Sequence, residues 1–340
     1  MNKKMKHFAK LCLFLISLFL ILLGLSDKIR IQKNQQMSGL YYKFQENTFD
    51  VLFFGTSILY RGVYPMNLWN QYGIVSFNLG SGNESIPMSY YLIKDGIEKD
   101  SPSLIVLECS FINREGKVPS SPYIHYVTDN MPYFNLNRQE MIFDLIDKKD
   151  RDEYIVPFIA YHSNMDKLFS KSAIMENARY GFGARITKNI YEGPLFQMNP
   201  VIKENALSET ATDYLLKITD LCESKNIPLL LFTIPILSSS DLCSQSDYDS
   251  RRNAAYALED FAKEHDITYL NLVDKFEELN LTVSDSADGF HLNVSGAEKL
   301  TAYLGDYIVT HYDIPSRKED VNYSFMQKAY EEYLAYYNKY

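Results

Sequence analysis

Apolar residues in this chain fall into short uninterrupted runs, separated by longer stretches in which they recur at helical spacing. The runs at 50–55 (DVLFFG), 74–79 (IVSFNL), 103–108 (SLIVLE), 227–234 (IPLLLFTI) and 267–272 (ITYLNL) predict five buried strands. Glycine ends the first, Pro102 precedes the third and Pro235 closes the fourth. Helical spacing predicts helices over 89–99, 208–225, 251–265 and 296–311; Tyr214, Leu215, Ile218, Leu221 and Cys222 form the apolar stripe of the second. Strands alternating with helices predict an α/β fold, a central parallel sheet with helices on both faces. Ligands of such sheets bind outside the C-terminal ends of the strands.

Three segments depart from that rhythm. Residues 8–25 form a long apolar run after Lys3, Lys4 and Lys6, which predicts a membrane anchor with residues 1–7 in the cytoplasm. A cleaved signal peptide is the competing reading, with Gly24-Leu25-Ser26 as its site. Either way the remainder lies outside the cytoplasm: a stem at 26–49, then the domain at 50–315. Residues 113–207, rich in Tyr, Phe, Asn and Pro, show no clean period and are expected to be a helical insertion or lid beside the site. In the tail, 316–340, Phe325, Met326, Ala329, Tyr330, Tyr333 and Tyr337 predict an amphipathic helix packed on the domain.

Composition narrows the function. The net charge of −9 argues against a nucleic-acid binder. With 27 Tyr against one Trp, the chain has tyrosines suited to a sugar-facing groove, or simply a Tyr-rich core and surface. Cys12, Cys109, Cys222 and Cys243 show neither metal-ligand nor disulfide-framework spacing, and the latter three are expected as buried free thiols.

The candidate chemistry begins at Gly55-Thr56-Ser57, which places a serine just past a buried strand. A serine needs a general base to act as a nucleophile; alone, it reads equally as a helix N-cap. Asp288-Gly289-Phe290-His291 supplies the partner: an Asp three residues before a His can fold back onto the imidazole and fix its tautomer. Of the other histidines, His125 and His162 lack metal-ligand spacing and are expected to be structural. Arg179 and Arg185 could bind a phosphate or carboxylate, or form salt bridges.

Together these residues resemble the SGNH/GDSL hydrolase superfamily. Gly55-Thr56-Ser57 resembles block I, with Thr56 where many members have Asp. Asp288-x-x-His291, with Leu292, Asn293 and Gly296, resembles block V. Phe77-Asn78-Leu79-Gly80-Ser81-Gly82-Asn83 resembles block II, where a glycine N–H joins the serine N–H in the oxyanion hole; Gly82 matches best and Gly80 second. The resemblance implies a flavodoxin-like three-layer α/β/α sandwich, a triad of Ser57, His291 and Asp288, and no cofactor. Block III departs from the family: its Gly-x-Asn-Asp is missing after the third strand, where Glu108-Cys109-Ser110-Phe111-Ile112-Asn113 stands instead. Asn113, Asn83 and the Ser110 hydroxyl are the candidate replacement donors. An anchored domain with a departed block III resembles envelope acyl-transfer proteins, namely the teichoic-acid D-alanyl-transfer protein and the alginate and peptidoglycan O-acetyltransferases. Such proteins often work with a multi-pass membrane-bound O-acyltransferase. The resemblance implies acyl transfer from Ser57 to an envelope glycan or teichoic acid, with Tyr123, Tyr126, Tyr133, Tyr180 and Arg179 as acceptor-groove candidates. Hydrolysis of acyl esters, and a non-catalytic accessory role, are the alternatives.

Overall fold

The computed structural model describes residues 3–29, 38–114, 122–167 and 181–339. Five strands form one wholly parallel sheet: β1 (Val51–Phe54), β2 (Ser76–Asn78), β3 (Leu104–Glu108), β4 (Leu229–Thr233) and β5 (Thr268–Asn271), in the order β2-β1-β3-β4-β5. Residues of β1 and β3 are buried throughout. That is why these strands read as unbroken apolar runs: helices cover both faces of the sheet. Val51 pairs with Ser76 on one side and Leu104 on the other. The order reverses at β1, so the crevice between the ends of β1 and β3 is the topological switch point at which such sheets bind ligands.

Each predicted helix is present, with shifted ends. α4 (Ile86–Asp100) carries Pro87 in its first turn, where a missing N–H costs nothing. α9 (Glu209–Ser224) is capped by the Ser208 side chain. α10 (Gln245–Glu264) starts well before residue 251, because Ser244 and Asp247 form a reciprocal capping box. α11 (Val294–His311) is capped by Asn293. Two helices went unpredicted: α2 (Ser57–Gly62), and α3 (Pro65–Tyr72), which Gly73 ends in a left-handed conformation. Both are too short to show a clear period.

The N-terminal helix α1 (Lys3–Ile29) is long and apolar enough to cross a membrane, a test that a signal sequence also passes. Most of its apolar side chains, among them Phe8, Phe14 and Ile21, are exposed, whereas Leu23 and Ile29 are buried. The insertion has two halves. The first holds α5 (Pro122–Thr128), α6 (Leu136–Leu145), α7 (Arg151–Ile155) and α8 (Phe158–Tyr161). They gather around Arg138, whose buried guanidinium donates to the carbonyls of Thr128 (2.7 Å) and Tyr154 (2.6 Å). The second half, from residue 181, is an extended strap rather than a helical lid. Its backbone is stitched to the domain by Asn78 N–H to Phe182 O, Arg185 N–H to Tyr60 O and Val294 N–H to Thr187 O. The tail forms α12 (Ser324–Lys339), which buries Met326 and Tyr333 against the domain. Cys109, Cys222 and Cys243 are buried and free.

Candidate active site

The site begins where β1 leaves the sheet. Gly55 has φ +146°, and a Cβ there would lie 2.7 Å from Cβ of Glu108, so only glycine fits this turn. Thr56, not Ser57, is the N-cap of α2: its hydroxyl oxygen accepts from Ile58 N–H (3.3 Å), and the hydroxyl donates to Glu108 Oε2 (3.2 Å). Ser57 therefore opens α2 at the C-terminal end of β1. Its Oγ lies 2.9 Å from His291 Nε2.

The 288–291 loop holds His291 from the other side. Asp288 Oδ1 accepts the N–H groups of Phe290 (3.1 Å) and His291 (2.8 Å), which folds the segment into a tight turn. Gly289 supplies the left-handed residue, φ +80°, and its N–H donates to Ser286 Oγ at 2.7 Å. The carboxylate then reaches His291 Nδ1, at 2.9 Å from Oδ2 and 3.1 Å from Oδ1. The result is a continuous hydrogen-bonded chain, Ser57–His291–Asp288, that joins the end of β1 to a loop more than two hundred positions further on.

Arg61, which sequence reasoning missed, completes the arrangement. It sits four residues after Ser57 on the same face of α2, and its Nη1 donates to Asp288 Oδ2 at 3.1 Å. Burial would raise the Asp288 carboxyl, but the hydrogen bond and charge of His291, with Arg61, hold it at about 2. Burial lowers the His291 imidazole below its ordinary value, and the Arg61 and Arg185 charges lower it further, against the pull of Asp288. At neutral pH the imidazole is thus neutral and able to accept a proton.

Backbone N–H groups also approach the serine turn from the neighbouring strand. The β1–β2 pairing continues beyond the strands through Leu79 N–H to Phe53 O (2.8 Å) and Ser81 N–H to Gly55 O (2.9 Å). That register brings the Gly82-Asn83 turn level with Ser57. Gly80 N–H is already spent on Asn78 Oδ1 (3.0 Å), while Asn78 Nδ2 donates to Leu59 O and Val63 O. Of the two block II glycines, Gly82 is therefore the one with an uncommitted N–H among the described residues. Asn83 adopts a left-handed conformation, φ 55°.

The block III replacements fare differently. The Asn113 side chain donates to Ala206 O (2.5 Å) and accepts from Ser208 N–H (2.8 Å). Both ends of its amide fasten the return of the insertion, so neither is turned toward Ser57 by a hydrogen bond among the described residues. The Ser110 hydroxyl is likewise engaged: its oxygen accepts from Ile234 N–H at 3.1 Å, at the end of β4. Two acids that sequence reasoning overlooked lie beneath the serine turn. Glu108 accepts from Thr56 and from Ser110 N–H (2.6 Å); Glu84 accepts from the Ser89 hydroxyl (2.6 Å). Burial raises both carboxyls, Glu84 the more.

Among the acceptor-groove candidates, Tyr126 reaches the site: a Cβ on Gly82 would lie 3.6 Å from its ring. Tyr123 packs edge-on against Tyr126 at 5.6 Å and is partly exposed. Tyr133 instead packs near the Arg138 guanidinium, 5.4 Å from its ring centre. Arg179 and Tyr180 lie outside the described residues. Arg185 stands close enough to Arg61 and His291 to disfavour their charge, and its side chain forms no ion pair among the described residues. His125 is structural, stacked on Tyr154 at 4.0 Å and bound to Asp129; His162 is exposed and bonds Ile159 O.

No family model matches this chain, and neither does any curated protein. Among solved structures, it is similar to an acylhydrolase-assigned protein from Bacteroides fragilis (10% identity, 82% of this chain and 96% of the other, TM-score 0.42). It is also similar to a GDSL-like lipase from Bacteroides thetaiotaomicron (11% identity, 76% and 87%, TM-score 0.38). A third is a protein from Parabacteroides merdae assigned as a GDSL-like lipase (12% identity, 76% and 94%, TM-score 0.36). At these identities the reading of the site rests on its own geometry.

Proposed function

We propose that this chain is a membrane-tethered serine acyl-ester enzyme of the SGNH type, with Ser57 as nucleophile, His291 as general base and acid, and Asp288 as the group that orients His291. The observation that carries this is the hydrogen-bonded chain from Ser57 Oγ through both nitrogens of His291 to Asp288, at the switch point of the sheet.

The chemistry follows from the atoms present. Ser57 Oγ attacks an acyl carbonyl carbon as its proton passes to His291 Nε2. Negative charge collects on the former carbonyl oxygen, within reach of the Ser57 and Gly82 N–H groups. Collapse expels the alkoxide, which takes the proton from His291 and leaves acyl-Ser57. A second hydroxyl then gives its proton to His291 and attacks the ester, and Ser57 Oγ leaves as it takes that proton back from the imidazolium. If that hydroxyl is water, the reaction is hydrolysis. If it belongs to an envelope polysaccharide or teichoic acid, the reaction is transfer. We favour transfer: Tyr126 and Tyr123 form an aromatic wall beside Gly82 suited to a sugar, and α1 would hold the site near a membrane surface. A multi-pass membrane-bound O-acyltransferase would be the source of the acyl group.

The test is labelling of the full-length chain in detergent with a fluorophosphonate, and peptide mass spectrometry to locate the adduct. An adduct on Ser57, absent from Ser57→Ala and His291→Ala, is the expected result. A folded chain that takes no label sinks the reading. Acyl transfer is then assayed by adding glycan or teichoic-acid acceptors and following release of the acyl group from Ser57.

A further inference from the structure

A second cluster of charge lies one aromatic ring away from His291 and takes no part in the chemistry above. The turn after β3 and the start of α10 enclose a cavity of about 360 Å3, lined among others by Ser110, Phe111, Arg114, Asp247 and Arg251. Both arginines stack on one ring: the Arg251 guanidinium carbon is 3.8 Å, and that of Arg114 4.3 Å, from the centre of Phe111. Arg251 also stands 4.8 Å from the Phe290 ring, which meets His291 edge-on at 4.6 Å. Phe290 thus touches both Arg251, which lines this cavity, and His291 of the Ser57 site.

Neither guanidinium makes an ion pair or side-chain hydrogen bond among the described residues. The nearest acids are engaged elsewhere. Asp247 accepts from both the N–H and the hydroxyl of Ser244, capping its own helix. Glu108 is buried and bound to Thr56 and Ser110. Arg251 Nη1 is shut away from solvent with no acceptor. Burial lowers the Arg251 guanidinium to about 10, which still leaves it charged at neutral pH. Two half-buried positive charges, close enough to repel each other, therefore feel Asp247 and Glu108 only through space, and neither has a directly bonded counter-charge among the described residues. Such an arrangement is costly unless an anion completes it. Guanidinium forks match the oxygens of phosphate, and contact with the Phe111 ring holds both beside the cavity.

The geometry points to a phosphate-binding subsite formed by Arg114 and Arg251, which holds a phosphate group of the substrate beside the acyl group presented to Ser57. This inference rests on the proposed acyl-ester function for its context, but not for its test. Phosphate is preferred over carboxylate because two guanidinium groups, neither directly paired among the described residues, match its greater charge and its additional oxygens.

The test uses the full-length Ser57→Ala protein in detergent, which cannot turn substrate over. Equilibrium dialysis with radiolabelled glycerol phosphate, at constant ionic strength, measures binding. Saturable one-site binding is expected, weakened at least tenfold by Arg251→Gln and by Arg114→Gln. Succinate is expected to compete at least tenfold less well than inorganic phosphate. Arg114→Lys, which keeps the charge at the more adaptable position, is expected to retain part of the affinity, and circular dichroism checks that each variant is folded. No saturable binding, binding unchanged in both Gln variants, or equal competition by succinate overturns the assignment. Phosphate binding in a chain whose Ser57 never takes the fluorophosphonate would leave the subsite standing while the acyl-ester reading fails.

Discussion

The turns that follow β1 and β3 leave adjacent strands of one sheet, yet they put their side chains to opposite uses. After β1, Thr56 caps the helix, so Ser57 is left with its hydroxyl facing His291. After β3, the polar groups of Ser110 and Asn113 are consumed by Ile234, Ala206 and Ser208, and the uncommitted residue of that turn is the cation Arg114. Position at the C-terminal end of a strand is therefore not sufficient for chemistry. What decides is which side chains the surrounding backbone has already claimed. A buried N–H or C=O must be satisfied by something, and near β3 that something is the pair of residues the sequence offered as oxyanion donors.

The contrast is open to direct attack. The largest effect is expected from Ser57→Ala and His291→Ala, each lowering aryl-ester turnover by about a thousandfold or more, with the double variant no worse than either single one. Additive losses, measured by steady-state turnover of an aryl ester, would break the claim that the two act as a unit. Asp288→Asn should lower turnover by about 10³–10⁴-fold while leaving Tm nearly unchanged, because it presents the wrong His291 tautomer.

The acid limb of the pH–rate profile sharpens the picture of the β1 side. The base must be neutral, and its affinity for a proton is depressed by burial and by two arginines. Activity should therefore persist below the ordinary histidine pKa and fall only as pH drops through the lowered value. Arg185→Gln removes one repelling charge, favours the imidazolium and should move that limb to higher pH by a fraction of a unit. A shift to lower pH would refute the assigned sign.

Beneath the same turn, Glu84 offers a stability test. Its carboxyl is raised by burial, so its contribution is intact below the unfolded pKa and is lost as pH rises through the folded one. Wild type should lose stability on that rise and Glu84→Gln should not, with the curves separating by roughly 1–3 kcal/mol. Parallel curves in urea titrations at several pH values would rule this out. The smallest effect on activity belongs to the β3 side. Asn113→Ala should cost about 1 kcal/mol of stability and change turnover less than threefold, whereas loss of a true oxyanion donor costs ~10²–10³-fold.

Sequence alone determined the layers. Runs such as DVLFFG and SLIVLE are apolar at every position because strands covered on both faces have no solvent side, and that pattern is local. The Asp288–His291 turn was legible for the same reason: its hydrogen bonds join residues two or three apart. Only the tertiary structure decided how the distant pieces met. It brought Arg61 to Asp288 across 227 positions, spent Asn113 on Ser208 rather than on an oxyanion, and left Arg114 and Arg251 facing one ring with no ion pair among the described residues. Those outcomes depend on which hydrogen-bonding and charged groups remain unsatisfied after the chain has packed. No local pattern of residues records that remainder, because it is a property of the whole fold.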